Sequence, residues 1–138
     1  MTDHSLPVRH ARCVCGALTF TVTAEPVHLH ACICTRCQRN SGSVMLLSGW
    51  FPQAGVAISG AYTRFTPDPA NRDAMMGFCP ICGTGHFFRS GAYLPGTIAI
   101  SIGSFADPDF PAPAHIHWWP DRPHWMGPPL GPELLAGN

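Results

Sequence analysis

The sequence predicts a mainly β protein of short antiparallel strands, and three observations support this. Residues 17–23 alternate between apolar side chains and threonine, so Leu18, Phe20 and Val22 share one face, as in a half-buried strand. The fifteen prolines and fourteen glycines lie between short apolar runs and divide the chain into strands and tight turns. No long amphipathic helix and no internal repeat stands out in the sequence.

The other elements follow in chain order. Residues 1–12 are expected to form a loose N-terminal arm, and residues 35–42 a turn or one short helical turn. Residues 56–59 and 62–65 flank Gly60-Ala61 and predict a hairpin, which a Pro/Asp/Asn loop follows. Further short apolar runs predict strands at residues 28–32, 45–51, 75–78, 86–89, 97–102 and 115–119.

Length and charge limit the class of protein. A chain of 138 residues is expected to form one domain over 1–138, with its core at about 9–125 and a C-terminal tail. In that tail, Trp118, Trp119 and Trp125 are expected to pack over the sheet. Eight arginines, with no lysine, balance eight acidic residues. Because no basic stripe or tail is present, a nucleic acid is excluded as the main partner.

Targeting signals and cysteine usage indicate a cytoplasmic protein. No segment approaches the roughly 20 apolar residues that span a bilayer, so no membrane partner is expected. The first residues lack the basic-then-apolar layout of a secretory signal. Thiols stay reduced in the cytosol, and seven cysteines are an odd number, which argues against a fully paired disulfide framework.

The strongest motif is a cysteine knuckle, Cys79-Pro-Ile-Cys82-Gly83, of the kind that binds zinc. Such a knuckle supplies two of four ligands, and Cys13-Val-Cys15-Gly16 is the natural source of the other two. An ion held by these four thiols would close a long loop and act structurally. The alternative is that Cys13 and Cys15 are ordinary half-buried thiols.

A second cluster places Cys32, Cys34 and Cys37 within six residues, so that one loop can direct three thiols at one ion. Structural zinc sites are closed by four ligands, whereas catalytic sites keep one position open. The division of seven cysteines into four and three therefore suggests one structural and one open site. Two alternatives remain: reactive thiols without metal, or a histidine as fourth ligand, from among His28, His30, His86, His115 and His117.

Taken in order, the three cysteine motifs resemble those of the glutathione-dependent formaldehyde-activating enzyme family, also known for its centromere-protein-V-like domains. The matching segments are Cys13-Val-Cys15-Gly16, Cys32-Ile-Cys34-Thr-Arg-Cys37 and Phe78-Cys79-Pro-Ile-Cys82-Gly83. Gly42, Gly60 with Tyr62, and His115-Ile116 also match. The resemblance covers roughly residues 9–125. Position 33 is Ile where the family often has His, and the C-terminal segment is unusually rich in Trp and His.

The resemblance implies an Mss4-like arrangement of twisted sheets stapled by zinc. It assigns the structural Zn²⁺ to the first four cysteines, and a catalytic Zn²⁺ to Cys32, Cys34 and Cys37. The implied activity is that of a carbon–sulfur lyase of the S-(hydroxymethyl)glutathione synthase type. Such an enzyme adds glutathione, or another small thiol, to formaldehyde or a small aldehyde. A non-enzymatic zinc-stapled binding module and a thiol-based redox sensor are the alternatives.

Glutathione carries two carboxylates, so its pocket should offer cations. Arg36 and Arg39 are the first candidates, because arginine binds carboxylates in a bidentate manner; the alternative is that both are solvated loop residues. His115 and His117 are expected on opposite faces of a short strand. One of them could carry a proton near neutral pH, or both could be structural.

Overall fold

The computed structural model describes residues 5–67, 69–70, 73–127 and 133–137. Within these ranges the chain forms eleven strands, one α-helix and three short 3₁₀ turns. The strands are β1 (Arg9–Arg12), β2 (Thr19–Val22), β3 (His28–Cys32), β4 (Leu46–Pro52), β5 (Val56–Ser59), β6 (Thr63–Phe65), β7 (Met75–Phe78), β8 (Phe87–Arg89), β9 (Thr97–Ser101), β10 (His115–His117) and β11 (Glu133–Leu134). The helix α1 is Thr35–Ser41, and the 3₁₀ turns are Gln53–Gly55, Ile102–Phe105 and Trp119–Asp121.

The strands form two sheets, which confirms the predicted mainly β class. The smaller sheet has the order β1-β2-β5, and the larger has the order β11-β10-β3-β4-β9-β8-β7-β6. The expectation of antiparallel pairing fails at one edge of the larger sheet, where β10 runs parallel to both β3 and β11. Parallel pairing requires a long connection, and residues 33–114 separate β3 from β10 along the chain.

The N-terminal arm is partly a strand, which corrects the sequence expectation. Residues 9–12 pair antiparallel with β2, with Arg9 opposite Val22 and Arg12 opposite Thr19. Only Ala11 of this strand is buried, at 4% exposure. One small apolar residue is too weak a pattern to predict a strand, so the hydrogen bonds offered by β2 decide the structure here.

The predicted hairpin at Gly60-Ala61 is wrong. Strand β5 pairs with β2 in the smaller sheet, whereas β6 pairs with β7 in the larger sheet. Gly60 adopts φ 99°, and a Cβ at this position would collide with the carbonyl oxygen of Ala17. The glycine therefore lets the chain pass closely over the 17–18 backbone as it moves from one sheet to the other.

The main core lies between one face of the larger sheet and the smaller sheet. The predicted alternation of Leu18, Phe20 and Val22 is confirmed, because all three are fully buried there. Register pairs assign the two faces of the larger sheet. Phe51 opposite Ile98, and Phe87 opposite Ile100, point into this core. Side chains in successive positions point to the opposite face, and that face carries the candidate site.

Helix α1 is longer than the single turn expected from the sequence. Cys34 is its N-cap, and the Cys37 amide donates to Cys34 Sγ at 3.3 Å. The helix ends at Gly42 in the left-handed region, with φ 65°. The Gln38 side-chain amide donates to the Ile33 carbonyl at 2.8 Å, which ties the helix to the end of β3.

The tryptophan-rich segment only partly covers the sheet. Strand β10 ends at His117, because Trp118 adopts φ 60°. Trp119 packs against a small cluster of Ala31, Ile33 and Ile116. Trp118 and Trp125 are 39% and 77% exposed, so the expectation that all three pack in the core is wrong for these two. None of the described helices is long and apolar enough to span a membrane.

Candidate metal centre

The first four cysteines converge on one point, as the spacing predicts. The Sγ atoms of Cys13, Cys15, Cys79 and Cys82 all lie within 4.8 Å of one another. Cys13 and Cys15 follow β1, and the other two follow β7, so the cluster joins the two sheets. The Sγ–Sγ distances are 3.6 Å from Cys13 to Cys15 and 3.7 Å from Cys15 to Cys79.

This donor set fits zinc. Four sulfurs at about 2.3 Å from a tetrahedral ion lie about 3.8 Å apart, close to the Sγ–Sγ distances of 3.6 and 3.7 Å. No other metal-ligating side chain is needed, because four thiolates close a structural site. The Cys13 and Cys79 thiols are buried and free of disulfides, so the sulfurs are held ready for an ion.

Hydrogen bonds hold the two cysteine loops in register. The Thr84 hydroxyl accepts from the Val14 amide at 2.9 Å and lies 3.1 Å from Cys82 Sγ. Its hydrogen bond to the sulfur, together with backbone hydrogen bonds, lowers the pKa of Cys82 to about 5. The Leu18 amide donates to Cys13 Sγ at 3.3 Å. Stabilised thiolates are the form that binds a metal.

The second cluster lies where β3 meets α1. The Sγ atoms of Cys32, Cys34 and Cys37 also lie within 4.8 Å of one another. Cys32 ends the strand, Cys34 caps the helix and Cys37 lies in the first turn. Among the described residues, this metal-ligating group contains no histidine, so the site remains three-sided.

The three thiols of this cluster have unequal acidity. The Cys37 thiol donates a hydrogen bond that lowers the pKa of Cys32 to about 6, against the opposing effect of burial. The hydrogen bond with Cys32, together with burial, raises the pKa of Cys37. Without an ion, Cys32 and Cys37 therefore share a proton, and the negative charge of this pair resides mainly on Cys32.

A cavity of about 380 Å³ opens beside the second cluster. All three of its cysteines line the cavity. Arg36, Trp50, Phe88, Arg89 and Tyr93 are also among the lining residues. The volume is in the range of small-molecule sites, which combine apolar walls with a few polar groups.

The two candidate arginines differ in position. Arg36 lines the cavity, whereas Arg39 lies on another surface near Phe65 and His86. Arg89, on β8, is a cation of the cavity that sequence reasoning missed. No described carboxylate forms an ion pair with Arg36 or Arg89. Both guanidinium groups are thus available to an anionic ligand.

A group of histidines lies on the face of the larger sheet that carries the cavity. Ligand atoms of His28, His30 and His117 lie within 4.8 Å of one another. His115 and His117 are two residues apart and share a face, which corrects the expectation of opposite faces. Burial, reinforced by the neighbouring histidines, lowers the pKa of His30 to about 3 and also lowers that of His28.

Tyr93 connects the cavity with the histidines. Its hydroxyl lies 3.4 Å from His28 Nε2, and its ring packs edge-on to Trp50. Burial, followed by the charge on Cys32, raises the pKa of Tyr93. Tyr93 comes from the loop between β8 and β9, where the sequence carries no motif. Tyr93 is recognised as a candidate functional residue only from its position in the cavity.

The fold and the clusters define a class: a small, mainly β protein with two sets of thiols spaced for metal ions. Residues 8–122 match the family model described as glutathione-dependent formaldehyde-activating enzyme. The chain belongs to this family. A protein of Emericella nidulans, whose name provisionally assigns it as a glutathione-dependent formaldehyde-activating enzyme, is 23% identical over 80 residues. That match covers 58% of this chain and 41% of the relative's length.

The crystal structure of a Rhodobacter sphaeroides protein has a similar fold. Its TM-score is 0.56 at 20% identity, over 72% of this chain and 91% of that chain. The similarity confirms the arrangement of twisted sheets that the resemblance implied, which is the Mss4-like fold.

Proposed function

We propose that this protein adds a small thiol of the glutathione type to formaldehyde or another small aldehyde. The observation that carries the proposal is one cavity lined by three free thiols and by two arginines that form no ion pair with a described carboxylate. Family membership supports the choice of substrates.

The two thiol clusters are assigned different roles under this proposal. Cys13, Cys15, Cys79 and Cys82 would hold a structural Zn²⁺ that joins the two sheets. Cys32, Cys34 and Cys37 would hold a second Zn²⁺ with one open position facing the cavity. Zinc bound there would favour the ionised form of a substrate thiol at neutral pH.

The arginines suit a substrate with carboxylates. Arg36 is exposed at the start of α1, and Arg89 is half-buried at the end of β8. Both line the cavity that also contains the cysteines. Two separated guanidinium groups can each bind one carboxylate of glutathione, which directs its thiol toward Cys32, Cys34 and Cys37.

The walls of the cavity suit the second substrate. Trp50 and Phe88 pack edge-to-face with ring centroids 4.9 Å apart, and they offer an apolar surface to a small aldehyde. In the addition, the substrate thiolate attacks the carbonyl carbon. A carbon–sulfur bond forms, and the π electron pair moves to oxygen. The Tyr93 hydroxyl can donate a hydrogen bond to that oxygen. The oxygen takes up a proton from water, which balances the proton that the thiol released on ionisation, and the product is the hemithioacetal.

The test is the rate of exchange between free and glutathione-bound formaldehyde. Carbon-13 exchange spectroscopy measures this rate against the spontaneous reaction without disturbing the equilibrium. We expect the zinc-loaded protein to accelerate exchange, and Cys34→Ser to lose most of the acceleration while retaining the fold by circular dichroism. Exchange at the spontaneous rate with wild-type protein, or full activity in Cys34→Ser, would contradict the proposal and favour a binding role.

A further inference from the structure

We propose that His28, His30 and His117 form a third cation site, which binds one divalent first-row transition ion through three imidazoles. The inference does not depend on the proposed function. The residues belong to neither thiol cluster, and their ligand atoms lie within 4.8 Å of one another on the face of the larger sheet that also carries the cavity.

The sheet itself builds the site. His28 and His30 are two residues apart on β3, so both point to one face. Strand β10 lies beside β3 in parallel register, with His115 opposite His30 and His117 opposite Cys32. This register brings His117 to the same face as the two β3 histidines. The ring centroids of His30 and His117 are 4.9 Å apart, and so are those of His28 and His30.

Two nitrogen atoms in the cluster are buried without a hydrogen-bond partner in the part of the chain that the structure describes: His30 Nδ1 and His117 Nε2. Leaving a buried polar atom unpaired is energetically unfavourable. Imidazole nitrogens that lack a proton have a lone pair, and a metal ion would satisfy several of them at once. The orphaned atoms are therefore an independent indication of a ligand.

The orientation of His117 is that of a metal ligand. Its Nδ1 lies 2.9 Å from the Gly137 carbonyl oxygen, so Nδ1 carries the proton and donates it to that acceptor. Nε2 is then the unprotonated nitrogen and can bind a cation. A ring fixed by a second hydrogen bond to a backbone carbonyl is the usual arrangement of histidine ligands.

The size of the cluster suits a small ion. Three nitrogens at about 2.0–2.1 Å from a tetrahedral zinc lie about 3.4 Å apart, so the side chains need only a modest contraction. Three neutral imidazoles favour Zn²⁺, Cu²⁺ or Ni²⁺ over the oxygen-seeking Mg²⁺ and Ca²⁺. Three protein ligands also leave a coordination position for water or a second ligand.

The primary test uses wild-type protein and Zn²⁺. The full chain is first loaded until both thiol clusters are saturated, and further Zn²⁺ is then followed by nitrogen-15 spectra of the histidine rings. We expect one more equivalent to shift the ring signals of His28, His30 and His117 together, while exposed His10 stays unchanged. Movement of His117 alone during filling of the Cys32 cluster, or movement of none of the three rings, would overturn the proposal.

Variants supply a second measurement. Equilibrium dialysis against Zn²⁺ is expected to show one more bound ion per chain for the wild type than for His117→Gln or His28→Gln. In these two variants, the affinity of the histidine site for the ion should fall about tenfold or more. His117 is buried, so His117→Gln can fail to fold, whereas His28 is only half-buried. His28→Gln therefore tests the site even if His117→Gln unfolds. His10→Gln is the matched control and should bind as wild type does. Equal ion counts in all these proteins would refute a third site.

Discussion

His117 lies opposite Cys32 in the parallel register between β10 and β3. This single pair joins the histidine cluster to the three-thiol cluster. After the hydrogen bond from Cys37, the proximity of His117 is one of the smaller effects that lower the pKa of Cys32. The two clusters thus share one face of the larger sheet. A substitution in either cluster can also disturb the fold, so each prediction about activity or metal binding needs a matched control variant.

The cavity arginines should control recognition of the thiol substrate. Arg36→Gln removes a guanidinium group that lines the cavity, so KM for glutathione should rise about tenfold, equivalent to about 1.4 kcal/mol for one charge-assisted contact. A thiol without carboxylates, such as 2-mercaptoethanol, should show little change. The measurement is the exchange rate with formaldehyde over a range of each thiol.

Arg39→Gln is the matched control, because Arg39 lies on the same helix but outside the cavity. It should leave both thiols unaffected. An equal loss of glutathione affinity in the two variants would indicate a general charge effect instead of a carboxylate contact at Arg36.

The four-thiol cluster should stabilise the fold. Cys79→Ser removes a fully buried thiol of the proposed structural zinc site, so the variant should lose one zinc ion per chain and several kcal/mol of unfolding free energy, or fail to fold. Zinc analysis and urea unfolding measure the two effects. Val14→Ser changes a residue that lies between Cys13 and Cys15 but is 79% exposed, so this variant should retain the ion and the stability. Normal stability in Cys79→Ser would rule out a structural ion at this cluster.

The buried histidine should make stability depend on pH. Burial and the adjacent histidines lower the pKa of His30 from 6.5 to about 3. Between these two values, His30 is protonated in the unfolded chain but not in the folded chain. The free energy of unfolding therefore falls as pH decreases from about 6.5 to about 3. This contribution is fully present above that range. One proton gives a slope of at most about 1.4 kcal/mol per pH unit.

His30→Gln should remove this component, so its unfolding free energy should change less steeply over the same range than that of the wild type. Any loss of zinc from the thiol clusters at low pH would affect both proteins and would largely cancel in the difference between their slopes. Urea unfolding at several pH values gives the two slopes, and parallel slopes would mean that His30 does not titrate on unfolding.

Close packing of the main core can be tested at a glycine. A Cβ at Gly77 would collide with the ring of Phe87, so Gly77→Ala should cost about 1–3 kcal/mol through overpacking. Gly103→Ala is the control, because nothing lies within 4 Å of the added Cβ and its φ is not positive. Equal unfolding free energies for the two variants would show that the Phe87 ring moves aside without cost.

The sequence by itself determined the local features. The alternation around Phe20 predicted a strand, and the C-x-x-C-G knuckle at Cys79 predicted a turn that presents two thiols. Both depend on interactions within a few residues, so spacing and residue type are sufficient to predict them. The pairing of Cys13 and Cys15 with the knuckle was also predictable, since four ligands are required to close such a site.

Only the tertiary structure decided which distant strands become neighbours. The segment at Gly60 changes sheets instead of forming a hairpin, because the close approach to Ala17 and the pairing of β5 with β2 outweigh the local turn signal. The two His-x-His pairs are visible in the sequence, but the parallel register of β10 with β3 brings them to one face. Such contacts join residues more than eighty positions apart, and they follow from how the whole chain packs, which no local pattern encodes.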